Sequence, residues 1–273
     1  RSGAIQTAAK FGFLNGYSDG NYYPDKAITM TQAAKMLVSA LGYDFTAVQY
    51  GGYPGGYLRI AAEKGLLQGI SAGQEAELTL KAMVRMFANA LEIDLMEQTG
   101  FGENTQFTVT KGKNVLTEYH KIEKRKGIVT ANRYTGLNYV KRLAADIVQI
   151  DGKDYLKGST KAGDFLGQRV VYYVNTDAPD QETLVSVTPD RSNAVYEVRD
   201  NRISEKTSFS QFVFTDDGGK ERRMSISPNV DILYNGIADL QPQATDLRPS
   251  SGLVKLVDSD GDDTIDVIFV ESY

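Results

Sequence analysis

The stretch NGYSDGNYYPDKAITMTQAAKML, Asn15 to Leu37, arranges its signals in a specific order. A Gly-Tyr-x-Asp-Gly loop passes through Pro24 to Ile28-Thr29, where an apolar-periodic run begins. Thr29 is a good N-cap type, because its hydroxyl can accept one of the orphan amides of a first turn. From there Ala33, Met36, Leu37, Ala40 and Leu41 recur at i, i+3, i+4 spacing. That spacing predicts a helix with one face seeking a partner. Upstream, Ala4, Ile5, Ala8 and Ala9 share a helical face, and Gly12 supplies a C-terminal break.

This helix, loop, helix unit is duplicated. Ala8-Ala9-Lys10-Phe11-Gly12-Phe13-Leu14-Asn15-Gly16 recurs as Ala61-Ala62-Glu63-Lys64-Gly65-Leu66-Leu67-Gln68-Gly69, an offset of 53. Ile28-Thr29, Met36 and Ala40-Leu41 recur as Leu78-Thr79, Met86 and Ala90-Leu91, an offset of 50. A second central loop three residues shorter accounts for the difference. Val84, Phe87, Ala88 and Leu91 are the expected core stripe of the second unit.

Beyond Gly100 the texture changes to short β-branched and aromatic runs: 106–109, 127–131, 146–150, 169–175, 184–188, 194–199, 209–215, 230–234, 253–257 and 266–270. Turn signals such as Asp151-Gly152, Asp217-Gly218-Gly219 and Asn235-Gly236 separate them. The expected fold is therefore α+β, with helical repeats over 1–50 and 51–99 and an antiparallel barrel- or sandwich-like region over 100–273. The boundary is expected at 98–105, with a possible split near 200–206 where Arg199-Asp200-Asn201-Arg202 breaks the strand texture.

Composition narrows the function classes. A formal charge of −5 argues against broad nucleic-acid binding, which needs clustered cations. The chain has no Cys, which excludes disulfides, thiolate metal sites and cysteine nucleophiles. No apolar run approaches the ~20 residues that span a bilayer. Arg1 opens directly on a helical pattern, which reads as a mature or trimmed chain.

Gly16-Tyr17-Ser18-Asp19-Gly20-Asn21-Tyr22-Tyr23-Pro24-Asp25 followed by Ile28-Thr29 resembles an S-layer homology repeat, whose GYxDGxFxP loop precedes an ITRAE segment. The second unit, with Tyr53-Pro54 before Tyr57-Leu58, resembles a divergent second repeat. The segment Lys126-Gly127-Ile128-Val129-Thr130-Ala131-Asn132 is similar to regions that follow such repeats in clostridial-type surface proteins. The resemblance implies a secreted, envelope-associated protein; separately, the sequence carries no pocket-forming motif, so no enzymatic activity is expected. The resemblance implies repeats that bind pyruvylated secondary cell-wall polysaccharide, with Tyr17, Asp19, Gly20 and Lys81 as candidate contacts. Met30 and Leu80 occupy the arginine positions of the two ITRAE segments, Gln32 the glutamate of the first, and Lys81 lies one position late. Arginine could grip a pyruvate carboxylate bidentately, whereas Met and Leu cannot. A turn-building role for Asp19 and its glycines is the alternative.

Other motifs carry less. Gly69-Ile70-Ser71-Ala72-Gly73 matches a nucleophile elbow by letter but sits between helices, where a turn is expected. The lone histidine, His120, is expected in a strand or strand entry, and the basic run Lys121, Lys124, Arg125, Lys126 in a charged edge strand or a contact with an acidic polymer or another subunit. Asp258, Asp260, Asp262 and Asp266 take positions 1, 3, 5 and 9 of a possible calcium loop, although Asp263 stands where glycine is expected and Phe269 where a closing glutamate would be. A hairpin turn with carboxylates on its amides is the other reading. Two functions follow: a structural S-layer or wall-associated subunit that self-assembles into a lattice or filament, or an anchor for wall polysaccharide with a β-rich stalk.

Overall fold

In the computed structural model all residues are described except Arg1, Ala72, Phe101, Glu103, Asn104, Tyr139 and residues 239–243. The chain is mixed α+β and divides into two compact units, Arg1–Lys121 and Ile122–Tyr273. The first unit contains α1 (Ser2–Lys10), α2 (Met30–Ala40), α3 (Asp44–Gln49), α4 (Gly55–Glu63), α5 (Leu80–Leu91), the hairpin β1 (Met96–Gln98) and β2 (Phe107–Val109), and α6 (Val115–His120).

Two threonines start the main helices. Thr29 Oγ1 accepts from Gln32 N at 3.3 Å, and Gln32 Oε1 accepts from Thr29 N at 3.1 Å, a complete capping box. A glutamine carbonyl serves here as well as a carboxylate. Thr79 repeats the cap with Ala82 N at 3.2 Å. The faces these helices bury differ from the expected stripes. On α2 the interior residues are Met30, Thr31, Ala33, Ala34, Val38 and Ser39, with Ala40 exposed. Small side chains bring this face close to Ile60 and Ala61 of α4 in a common core. On α5 Met86 and Ala90 go inside, whereas Leu80, Val84 and Phe87 are 79%, 59% and 53% exposed. The expected core stripe of α5 is thus an outward face.

His120 ends a helix, not a strand. Asn114 and Thr117 form a capping box that outweighs the β-branched texture of the segment, and Lys121 closes it at φ 51°. Gly42 follows α2 at φ 88°, and a Cβ there would lie 2.0 Å from Met96 O. The missing side chain lets Met96 N reach Leu41 O at 2.9 Å and dock β1 on the end of the helix.

In the second unit β3 (Ile122–Ala131), β4 (Ile147–Ile150), β5 (Lys153–Leu156), β6 (Arg169–Asn175) and β7 (Thr183–Pro189) close into a ring in the order β3-β4-β5-β7-β6. The remaining strands are β8 (Ala194–Arg199), β9 (Gln211–Thr215), β10 (Glu221–Tyr234), β11 (Ile237–Ala238), β12 (Gly252–Asp258) and β13 (Thr264–Ser272). They form a sheet ordered β11-β10-β13-β12-β8, with β9 on β10. Asp151-Gly152 and Asn235-Gly236 make tight hairpins with both residues at positive φ. The pairing is not wholly antiparallel: β10 runs parallel to β13, and β5 to β7. Leu233, Val257 and Val267 of the sheet share a core with Val129, Val148 and Val170 of the ring, so one apolar interior serves both.

The basic run lies in β3, which pairs with β6 on one side and β4 on the other, so it is not an edge strand. Its charges meet acids. Arg125 forks onto Glu182 at 2.7 and 3.0 Å, and Lys153 reaches the same carboxylate at 2.7 Å. Glu182 precedes β7 at the ring's narrowest seam, the single pair Leu156↔Thr183, and its carbonyl accepts from Leu156 N at 3.0 Å.

Gly42→Ala is expected to lose about 2 kcal/mol or more, from positive-φ strain plus displacement of β1, measurable by urea unfolding. Arg125 holds the Glu182 carboxyl down at about 2, so its contribution is present above the unfolded carboxylate range and lost as pH falls through about 2. Glu182→Gln should cost roughly 3 kcal/mol at pH 7 by removing the carboxylate that both Arg125 and Lys153 bond, although Arg125 keeps Glu123 at 2.8 Å. Melts across pH should show that deficit shrinking between about pH 4.5 and 2.

Candidate functional site

The loop between α1 and α2 walls a hollow of about 380 Å³ in the first unit. Its side chains are unusually aromatic: Tyr17, Tyr22, Tyr23 and Tyr53 line it together with Lys26, Gln32 and Lys35. Tyr17 and Tyr23 meet edge to face at 5.3 Å, Lys26 Nζ stands 4.9 Å from the Tyr17 ring centre, and Gln32 Nε2 donates to Tyr17 Oη at 3.4 Å. Lys35 Nζ donates to Gly12 O at 3.0 Å, Phe13 O at 3.4 Å and Asn15 Oδ1 at 3.3 Å. All three of its protons are thereby used, and burial lowers its pKa. Lys35 pins the floor; Lys26 is the cation placed beside the rings. Flat apolar rings with hydroxyl rims, an amide and an ammonium suit a sugar ring bearing an anionic substituent.

The motif residues divide by role. Tyr17 lines the hollow. Asp19 does not: its carboxylate accepts from Asn21 N at 3.0 Å, from Asn21 Nδ2 at 3.1 Å and from Tyr23 Oη. The tyrosine bond comes first among the causes that depress its pKa. Gly20 sits at φ 79° in open space, so it serves the turn's backbone. Met30 is 7% exposed, with its amide donating to Ala76 O at 3.2 Å. Segment 74–78 covers the start of α2, since Thr31 N reaches Gln74 O at 3.1 Å and Leu78 N reaches Ile28 O at 2.9 Å.

A second hollow, about 700 Å³, lies along α5 and contains Lys81, Thr79, Glu77, Arg85 and Ser71. Ser71 belongs to the Gly69–Gly73 segment, whose Ala72 is outside the described residues. Arg85 follows Lys35 by the repeat offset of 50. Sequence reading centred on positions 30 and 80 passed over this pair; the duplication itself carried the signal.

The acidic loop joins β12 to β13. Carboxylate oxygens of Asp258, Asp260 and Asp262 lie within 4.8 Å of one another. Asp258 is buried and accepts from Asp260 N at 3.2 Å, Gly261 N at 2.7 Å and Asp263 N at 3.0 Å. Asp266 accepts from Ser259 N at 2.9 Å and Ser259 Oγ at 2.6 Å. Asp262 Oδ1 accepts from Thr264 N at 2.7 Å, so three of the four acids organise the turn, while Asp260 and Asp262 are exposed. Desolvation and the charges of Asp262, Asp266 and Asp258 raise the Asp260 pKa.

Met30→Arg is expected to destabilise the first unit by roughly 3 kcal/mol or more, because it buries an unpaired cation. Asp258→Ala should cost about 2 kcal/mol by stranding amides that the carboxylate now satisfies. Denaturant melts of each variant read both numbers.

Residues 1–34 match the S-layer homology domain. The chain is 29% identical over 201 residues to the middle cell wall protein of Brevibacillus brevis, which covers 66% of this chain and 18% of that protein. It is 27% identical over 209 residues to the surface layer protein of Brevibacillus choshinensis, covering 71% of this chain and 18% of that protein. The chain therefore spans about a fifth of the length of these relatives. No solved structure matches it. Among the described residues no helix is long and apolar enough to cross a membrane. The chain carries an S-layer homology domain and is a relative of surface-layer and cell-wall proteins, located at the bacterial cell surface in the wall.

Proposed function

We propose that this chain is a structural part of a surface-layer protein, held to the wall when its first unit binds an acidic, pyruvylated secondary polysaccharide. The observation that carries this reading is the tyrosine-lined hollow with Lys26 beside Tyr17. Tyr17 and Tyr23 offer stacking surfaces, and Lys26 meets the pyruvate carboxylate as a point charge in place of the arginine fork. The α4–α5 unit is read as a divergent second repeat, whose hollow offers Lys81 and Arg85 to the same polymer. The second unit serves as a stalk or display domain, and no catalytic step is involved. Sedimentation with purified sacculi tests this. The wild-type chain should co-sediment, and Tyr17→Ala with Lys26→Ala should reduce the bound fraction about tenfold or more, as should removal of pyruvate from the wall. Undiminished binding after either change sinks the reading.

A second reading, self-assembly into a lattice or filament, is favoured by the outward face Leu80, Val84 and Phe87 on α5. Large apolar side chains in a row on an exposed helix are a typical contact surface. In this reading a second copy covers the row, and calcium at Asp258, Asp260 and Asp262 stiffens the β12–β13 turn. Light scattering should show concentration-dependent growth that Leu80→Glu with Phe87→Glu abolishes, and calcium should raise the melting temperature of the wild type but not of Asp260→Asn with Asp262→Asn. Monomers at every concentration, or equal calcium shifts in both chains, count against it.

A further inference from the structure

The ring of the second unit carries a second polar hollow, about 230 Å³, walled by the loop after β3 and the turn after β5. The two walls are stitched together by one buried side chain. Asn132 Nδ2 donates to Gly163 O at 2.9 Å, while its Oδ1 accepts from Tyr134 N at 2.8 Å and Thr135 N at 3.0 Å. Thr160 Oγ1 and N both bond Lys157 O, at 2.6 and 3.1 Å, which fixes the second wall. Into this frame project Arg133, Lys157 and Lys161, with Asp164 the one acid on the lining. Among the described residues none of the three cations is in an ion pair with a carboxylate. In a chain of net charge −5, where Arg125, Lys126 and Lys153 are all committed to acids, three uncompensated cations around one hollow stand apart. The Arg133 guanidinium lies over the Tyr134 ring at 4.4 Å, and that tyrosine is 69% exposed, so a flat aromatic rim borders the charge.

We infer that this hollow is a binding site for the anionic group of a sugar polymer, a phosphate or a carboxylate, with Tyr134 offering its ring edge and hydroxyl to the adjoining sugar. The volume admits roughly one anionic sugar unit, and Arg133 and Lys161 supply a fork and a point charge for its oxygens. The site lies wholly in the second unit, so it stands or falls independently of the tyrosine-lined hollow of the first.

Calorimetric titration of the full chain tests it with three probes: a glycerol phosphate oligomer, an oligogalacturonate and a neutral chitooligosaccharide. Tyr17→Ala, Lys26→Ala, Lys81→Ala and Arg85→Ala are placed together in the background, so that neither hollow of the first unit contributes. Binding of the phosphate probe assigns phosphate as the ligand group, binding of the galacturonate assigns carboxylate, and binding of both assigns anionic charge in general. In each case Arg133→Gln with Lys161→Gln should weaken binding about tenfold or more, and Asp164→Asn should tighten it about threefold by removing the opposing charge. The neutral probe should not bind. The inference is overturned if neither anionic probe binds, if the double substitution leaves affinity unchanged in a chain of unaltered melting temperature, or if the neutral sugar binds as well as the charged ones.

Discussion

The first unit depends on one docking event, the meeting of segment 74–78 with the start of α2. Two backbone bonds, Met30 N to Ala76 O and Leu78 N to Ile28 O, together with the Thr29↔Glu77 bridge, splice the loop that precedes α5 onto the start of α2. The Thr29 cap makes this possible, because it satisfies the Gln32 amide from within the helix and leaves the outer amides free to pair elsewhere. Once the splice forms, Met30 has no route to solvent. The position where an arginine would grip a sugar becomes part of the interior, and methionine is what an interior position of irregular shape accommodates. The burial of Met30 and the docking of segment 74–78 are thus a single structural fact.

That fact leaves the hollow to other residues of the loop. With position 30 sealed, the polar groups that still line the hollow come from the glycine-rich loop, the segment after it and the first turn of α2: Tyr17, Tyr23, Lys26 and Gln32. Asp19 contributes indirectly. By holding Asn21 and Tyr23 it sets the ring orientation on which Tyr17 packs edge to face. A turn-building aspartate and a hollow-lining tyrosine are complementary parts of the same loop.

What local sequence could disclose was what local interactions decide. The strands Arg169–Asn175 and Ala194–Arg199 have the ends their β-branched texture indicates, and Thr29 announces α2. Where texture and cap disagree the cap prevails: His120 reads as part of a strand or strand entry, yet Asn114 and Thr117 close a capping box and make Val115–His120 a helix. Lys153–Leu156 escapes notice because its polar residues depend on the Asp151-Gly152 hairpin to become a strand. The parallel pairing of β10 with β13 is set by partners far apart in the chain, which no local pattern encodes. The outward turn of Val84 and Phe87 is equally non-local: a helix with apolar side chains on more than one face is oriented by its neighbours, and here Met86 and Ala90 fit the core better.

The sites were legible to different degrees for the same reason. A loop motif contiguous in sequence, such as 16–25, can be recognised before folding, and so can alternating aspartates. Neither display reveals which carboxylates will be consumed by backbone amides, and Asp258, Asp266 and Asp19 all are. A carboxylate that accepts amides from its own turn has already exchanged water for fixed donors, so it has less left to offer a cation or a sugar. The groups free to act are those the turn does not need: Asp260 in the acidic loop, Tyr17 and Lys26 in the hollow, and Arg133, Lys157 and Lys161 around the ring. Counting motif residues therefore overstates a site in this chain, and tracing where each charged group's hydrogen bonds end separates the scaffold from the surface it presents.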